Sequence, residues 1–146
     1  YMLNLGLESL HVRMARHCEN GQAVAEFLAS HPKIAYVNYC GLPGDKYHAV
    51  AEKYLPNGSC GVVSFGVKGG REAAAAFMGH LKIAAIETHV ADARTCCLHP
   101  ASSTHRQMND EQLIAAGVQP DLVRMSCGLE DKNDLIHDIA QALDQI

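Results

Sequence analysis

The sequence has no long apolar run, no block of basic residues and no C-x-x-C cysteine pair. Each absence removes a class of protein. A helix needs about 20 consecutive apolar residues to span a bilayer, and no such run exists. Nucleic acids and anionic membranes are met by clustered Lys and Arg. Here the formal net charge is −4 and no basic cluster forms, so neither partner is expected. Zinc sites use ligands at short spacing. Cys18, Cys40, Cys60, Cys96, Cys97 and Cys127 offer no such pair, only the adjacent Cys96–Cys97. The histidines form no H-x-x-x-H or H-E-x-x-H pattern. His11, His17, His31, His48, His80 and His137 fall on predicted helix surfaces or ends. Only His89, His99 and His105 share a region, and no metal is expected. No charged n-region with an apolar run opens the chain, so a secretory signal is not expected. Internal repeats and low-complexity stretches are absent as well.

At 146 residues, 48% hydrophobic and 19% charged, the chain suits one globular domain with a true core. Most cysteines sit in apolar, strand-like runs, where a thiol acts as a small hydrophobe. That usage fits a reduced, cytoplasmic setting.

Leu3, Leu7, Leu10, Met14 and Cys18 recur at helical spacing, and Val24, Phe27 and Leu28 extend an apolar face to His31-Pro32. A long helix that begins without a capping residue suggests the C-terminal piece of a larger protein. The face of Leu3, Leu7 and Leu10 would then be left bare. Ile34–Tyr39 reads as a strand, Tyr47–Leu55 as a short helix, and Cys60–Val67 as a strand whose core face is Gly61, Val63, Phe65 and Val67. Gly69-Gly70 reads as a plain turn into an alanine-rich helix, Arg71–Leu81. Ile83–Thr88 is the third expected strand and Thr95–Leu98 a possible short one. Asn109 should cap a helix ending at Gly117. Leu122–Cys127 is a strand, and a last helix from about Asp131 buries Leu135, Ile139, Ala142, Leu143 and Ile146. Helix and strand alternate, which favours parallel strands. Several short connections suit a mostly antiparallel sheet with helices on one face equally well.

Two polar segments interrupt this scaffold, Thr88–Gln107 (THVADARTCCLHPASSTHRQ) and Arg124–Gly128 (RMSCG). Polar side chains on loops held by strands are where binding tends to sit. Arg124 lies among apolar strand residues, and a half-buried arginine needs an anion. That anion is either an internal carboxylate or a carboxylate ligand gripped by two N–H groups.

The residues His99-Pro100-Ala101-Ser102-Ser103-Thr104-His105 resemble the H-P-A-S-x-T-H segment of the Cys/Met-metabolism enzymes that use pyridoxal 5′-phosphate. Arg124-Met125-Ser126-Cys127-Gly128-Leu129-Glu130-Asp131 resembles their R-x-S-x-G-x-E-D segment. Arg13-Met14-Ala15-Arg16-His17-Cys18-Glu19-Asn20 resembles their R-M-x-R-H-x-x-N helix, and Tyr39-Cys40-Gly41-Leu42 stands for Y-P-G-L with Cys40 in place of proline. The resemblance covers essentially the whole chain. Phe65–Ala74 and Glu87–Thr95 are most similar to the O-acetylhomoserine sulfhydrylase branch.

The resemblance implies the C-terminal domain of a fold-type I pyridoxal-phosphate-dependent transferase. Its fold would be α+β: a small, mostly antiparallel sheet of four to five strands with helices packed on one face. Residues 1–30 would end the helix from a missing cofactor domain, and residues 31–146 would form the substrate-binding domain. Arg124 would bind the substrate's α-carboxylate, assisted from the position of His89, where the family has Ser or Asn. Thr104 and Ser102 would line the entrance near the cofactor, while Asp92, Ser126 and Glu130 would hold the polar segments in place. The cofactor lysine would lie upstream, since Lys33, Lys46, Lys53, Lys68, Lys82 and Lys132 match no S-x-T-K segment. The piece alone would be inactive. The whole enzyme, a homotetramer as in the family, would replace the γ-acetate of O-acetylhomoserine with sulfide or a thiol. The alternatives are a γ-lyase or γ-synthase of the same family, or a non-catalytic α+β ligand-binding module.

Overall fold

A computed structural model describes all 146 residues. The chain opens with α1 (Met2–Glu8) and α2 (Leu10–Ser30), followed by β1 (Ile34–Asn38), α3 (His48–Tyr54), β2 (Val62–Val67) and α4 (Gly70–His80). Then come β3 (Ala85–Ile86), β4 (Cys96–Leu98), a single 3₁₀ turn at Pro100–Ser102, α5 (Asp110–Ala115), β5 (Leu122–Ser126) and α6 (Lys132–Asp144). The five strands form one sheet in the order β1-β2-β5-β4-β3. The pairings β1–β2, β2–β5 and β4–β5 are antiparallel, and only the edge pair β3–β4 is parallel. The sheet is therefore mostly antiparallel, and the parallel order that alternation alone suggests is confined to that edge.

The core lies between one face of the sheet and α2, α4 and α6. Val63, Phe65 and Val67 of β2, Val123 and Met125 of β5 and Cys97 of β4 point into it. They meet Val24, Ala25 and Leu28 of α2, Phe77 of α4, and Leu135, Ile139 and Leu143 of α6. Each fully buried Leu, Ile or Phe contributes about 1.5–3 kcal/mol on removal from water. Side chains alternate along a strand, so Ser64, Arg124, Ser126, Cys96 and Leu98 share the opposite face, away from the helices.

Capping follows the sequence closely. Asn109 Oδ1 accepts the Gln112 N–H at 2.9 Å and Gln112 Oε1 accepts the Asn109 N–H at 3.0 Å, a reciprocal capping box. Asp131 caps α6 through the Asn133 N–H at 2.8 Å. Gly117 ends the α5 segment at φ 80°, the left-handed geometry glycine tolerates.

The structure corrects two of the expected elements. The expected single N-terminal helix breaks at Ser9, where Gly6 and Ser9 are weak helix formers. Arg13 fills the gap, its Nη2 donating to the Gly6 carbonyl and its Nε to Ser9 Oγ at 3.1 Å. The expected strand Ile83–Thr88 shrinks to Ala85–Ile86. The buried carboxylate of Asp138, on α6, accepts the backbone N–H groups of Lys82, Ile83 and Ala84 at 2.8, 2.8 and 3.1 Å. Those donors are thereby taken out of any sheet ladder. The Leu3 side chain is 85% exposed, and Leu7 and Leu10 are open as well, as expected for a bare face. No helix is long and apolar enough to cross a membrane.

Candidate functional site

The central strand β5 places Arg124 between Ser64 of β2 and Leu98 of β4, on the helix-free face. Its Nη2 donates to the Thr88 carbonyl at 2.8 Å. Its Nε is buried without a partner, and none of the chain's ion pairs includes it. The internal-carboxylate alternative is thus not realised. A buried N–H left unpaired costs about 1–3 kcal/mol, so the guanidinium retains donors suited to an anion from outside this chain.

The loop that Arg124 touches is held by the residues expected to be structural. Ser126 Oγ accepts the Ala91 N–H at 3.0 Å and so fixes Ala91 at φ 58°, a strained angle for a residue with a Cβ. Asp92 Oδ1 accepts the Arg94 N–H at 3.0 Å. Glu130 accepts from the Thr95 N–H at 2.7 Å and from Thr95 Oγ1–H at 2.8 Å, and Thr95 Oγ1 in turn accepts the Gly128 N–H at 2.8 Å. Gly128 is required here. A Cβ on it would stand 2.5 Å from Ala93 O and from the Arg94 carbonyl carbon.

Helix α2 ties the second segment down from the other side. Asn20 Nδ2 donates to the carbonyls of Gly128 and Glu130, both at 2.9 Å. His17, assigned to the surface by sequence, is only 1% exposed, with Nδ1 2.7 Å from Cys127 O. The error has a simple origin. A stripe through Leu3, Leu7, Leu10 and Met14 suggests one buried face, but α2 turns His17, Asn20, Gly21 and Val24 inward instead.

His89 sits on the Arg124 loop, beside Thr88. It is exposed, its Nδ1 2.9 Å from Glu87 Oε2 and 3.6 Å from Asp92 Oδ2. His99 is elsewhere in character. It is buried, with Nδ1 2.8 Å from Ser102 Oγ and Nε2 2.9 Å from Pro120 O, so both nitrogens are committed. His105 faces Thr104 Oγ1 at 2.9 Å. The three histidines of this region therefore do not converge. Ser102 and Thr104 are exposed on the turn after β4, the strand that pairs with β5 at Arg124. Ser102 also orients His99. Arg71 at the start of α4 anchors this turn, with Nη1 donating to Ala101 O at 2.6 Å and Nη2 to Asp110 Oδ1 at 2.6 Å.

Sequence reasoning missed Arg71, Thr95, Asn20 and Asp138 as organisers. Asp138 left a signal, since it falls on the Leu135–Ile139 face that the periodicity marks as buried, and Asn20 left one as the asparagine of the R-M-x-R-H-x-x-N similarity. Buried thiols surround the site without activation. Burial pushes Cys127 up to about 12, helped by the Glu130 carboxylate. Burial and the nearby Glu87, Asp92 and Glu130 also raise Cys96. Neither is a ready nucleophile.

A mostly antiparallel sheet, helices on one face and a free guanidinium on the other define an α+β domain built to present polar groups to something beyond itself. The chain belongs to the Cys/Met metabolism PLP-dependent enzyme family, whose pattern matches residues 1–144. It is 45% identical over 142 residues to an O-acetyl-L-homoserine sulfhydrylase of Leptospira meyeri, covering 97% of this chain and 32% of that protein. It is 40% identical over 147 residues to an L-methionine gamma-lyase of Treponema denticola, covering 100% of this chain and 36% of that protein. A crystal structure of a putative O-acetylhomoserine (thiol)-lyase from Campylobacter jejuni superposes with a TM-score of 0.88 at 38% identity, over 96% of this chain and 33% of that one. That structure carries an N′-pyridoxyl-lysine-5′-monophosphate. The chain spans about a third of the length of these relatives.

Pyridoxal phosphate is the cofactor of this family, and the residues present do not by themselves fit it. The Lys33 ammonium donates to Leu143 O and Ile146 O, Lys68 to Pro32 O and Lys132 to Glu19. Lys46 and Lys53 lie over tyrosine rings. None of these five ammonium groups bonds to the Arg124 loop, and Lys82 is turned to solvent.

Proposed function

We propose that the chain is the substrate-binding domain of a sulfhydrylase that carries out γ-replacement on O-acetylhomoserine, giving homocysteine with sulfide or methionine with methanethiol. Residues 1–30 form the end of a linking helix and residues 31–146 the domain itself. The observation that carries the reading is Arg124, a guanidinium with unused donors, at the centre of the sheet in a chain of this family. It receives the α-carboxylate of the amino acid as a fork. His89, beside Thr88, is the second polar group at that carboxylate. Ser102 and Thr104 edge the way in.

Arg124 orients the substrate. Pyridoxal phosphate, which would be held by residues outside these 146, would supply the electron sink for loss of the γ-acetate. By pinning the carboxylate, Arg124 would fix the orientation of the bonds at Cα, so a side chain remote from the γ-carbon still sets the outcome. Ser126, Asp92 and Glu130 keep the loop and the strand in register. The domain alone is inactive for want of the lysine, and the working enzyme is a tetramer.

The identity to a methionine gamma-lyase favours a second reading, γ-elimination from methionine or cystathionine. One assay separates the two. The full-length protein with cofactor is given O-acetylhomoserine plus sulfide, and in parallel methionine or cystathionine alone. Homocysteine from the first, with little 2-oxobutyrate from the others, is the expected result. The reverse product pattern moves the chain to the lyases. No turnover and no cofactor absorbance would leave a non-catalytic binding module.

A further inference from the structure

We propose that Glu87, His89 and Cys96, with Asp92 beside them, form a site for a divalent cation of the zinc class. The ligand atoms of Glu87, His89 and Cys96 all lie within 4.8 Å of one another. His89 Nδ1 is 2.9 Å from Glu87 Oε2, Cys96 Sγ is 3.9 Å from that carboxylate oxygen, and Asp92 Oδ2 is 3.6 Å from His89 Nδ1. In a tetrahedron with zinc–ligand bonds of about 2.0–2.3 Å, neighbouring ligand atoms stand roughly 3.3–3.8 Å apart. The 2.9 Å and 3.9 Å pairs need shifts of a few tenths of an ångström to reach that geometry, and the widest pair, within 4.8 Å, closes by up to about 1 Å through side-chain rotation.

The chemistry of the set selects the cation. One sulfur, one imidazole nitrogen and carboxylate oxygens suit a borderline-soft ion, and they do not suit magnesium, which wants six oxygens and keeps its waters. The local charge points the same way. Glu87 and Asp92 have no Lys or Arg in salt-bridge contact, and their only basic partner is His89. Cys96 is buried at the back of the group, and its Sγ–H points to Glu87 Oε2 and the Arg94 carbonyl. A bound cation takes Cys96 as the thiolate and releases its proton to solvent. The backbone supplies rigidity, because Asp92 Oδ1 is pinned to the Arg94 N–H and leaves Oδ2 facing His89. Ala85 and Cys96 pair across β3 and β4, which brings Glu87 alongside the strand that bears the thiol.

The site has a consequence for the neighbouring arginine. Glu87 and His89 flank Thr88, whose carbonyl is the one internal partner of Arg124. A cation held between them fixes that loop and withdraws His89 from the substrate's carboxylate. Zinc therefore opposes substrate binding, a consequence that rests on the function proposed above.

The test uses the full-length holoenzyme, freed of metal by chelation and titrated calorimetrically with zinc chloride and, separately, magnesium chloride. The expected result is one zinc ion bound per protomer and no magnesium isotherm. Cys96→Ser and Glu87→Gln should each weaken zinc binding at least tenfold while cofactor absorbance and circular dichroism stay intact. Glu87 is a partly exposed side chain, so its variant stays informative even if Cys96→Ser misfolds. Equal zinc affinity in the wild type and Glu87→Gln overturns the site, and so does magnesium binding as tightly as zinc. Turnover of the metal-free enzyme reports on the proposed reaction alone, so the two ideas fail separately. With both correct, zinc raises the apparent KM for O-acetylhomoserine and leaves Glu87→Gln much less affected.

Discussion

Replacing Arg124 by alanine removes the only cation on the helix-free face of the central strand. Of its five N–H donors, one is used internally, on the Thr88 carbonyl at 2.8 Å, and the buried Nε has no partner. The loss to a bound carboxylate is that of a charged hydrogen bond, ~1.5–3 kcal/mol. In rate terms kcat/KM should fall about 10- to 150-fold. Alanine also frees the Thr88 carbonyl, so the loop change must be separated from the ligand change. Arg124→Lys does this, since it keeps the charge and gives up the planar fork. It should recover part of the loss and leave a smaller deficit. Initial rates of homocysteine formation, in full-length protein with saturating sulfide and varied O-acetylhomoserine, read both variants. An effect on KM alone would mean the arginine merely binds, with no bearing on orientation. Wild-type kcat/KM in Arg124→Ala would remove the arginine from the substrate altogether.

Other perturbations test the scaffold that presents this residue. Asp138→Ala leaves the N–H groups of Lys82, Ile83 and Ala84 without their carboxylate, and Ala84 is a buried residue, so a loss of about 2–4 kcal/mol is expected; unchanged unfolding midpoints and unchanged hydrogen exchange at Ala84 would contradict it. Gly128→Ala drives a methyl into the Ala93–Arg94 backbone, which cannot rotate away as a side chain could. It should cost about 1–3 kcal/mol by overpacking, read as a lowered thermal midpoint. Stability should also fall on the alkaline side. The folded state holds the Cys127 proton to about 12 against an ordinary 9.0, so that contribution is whole below pH 9 and drains away as pH rises from there toward 12. Cys97 acts in the same direction. Denaturant midpoints at pH 8 and pH 10 should differ, and Cys127→Ala should narrow the difference; a flat profile in the wild type speaks against buried thiols.

Periodicity found the elements whose burial is one-sided. β2 and α6 were legible because each alternates or repeats cleanly, and Phe65, Leu135 and Ile139 are buried as their patterns require. Arg124 stood out because a guanidinium among apolar strand residues breaks that pattern. What could not be read were features decided by a partner distant in sequence. The truncation of β3 depends on Asp138, more than fifty residues along the chain, and the burial of His17 depends on the Cys127 carbonyl, 110 residues away. The direction of β3 was equally hidden, since a two-residue pairing has no pattern to read. Local motif similarity supplied the roles of Ser126 and Glu130, but not Thr95, whose hydroxyl links them only in three dimensions.

The carboxylate that shortens β3 also governs how the sheet meets other molecules. An open sheet edge with a row of free N–H and C=O groups is a template on which a second chain can align and aggregate. On the β3 side that row is two residues long, and the donors just before it already point inward to Asp138. The edge is blunted from within the fold, without relying on charge or proline at its rim. Removing Asp138 would therefore do more than loosen a helix: it would release backbone donors at an exposed margin and favour self-association of molecules that are still folded.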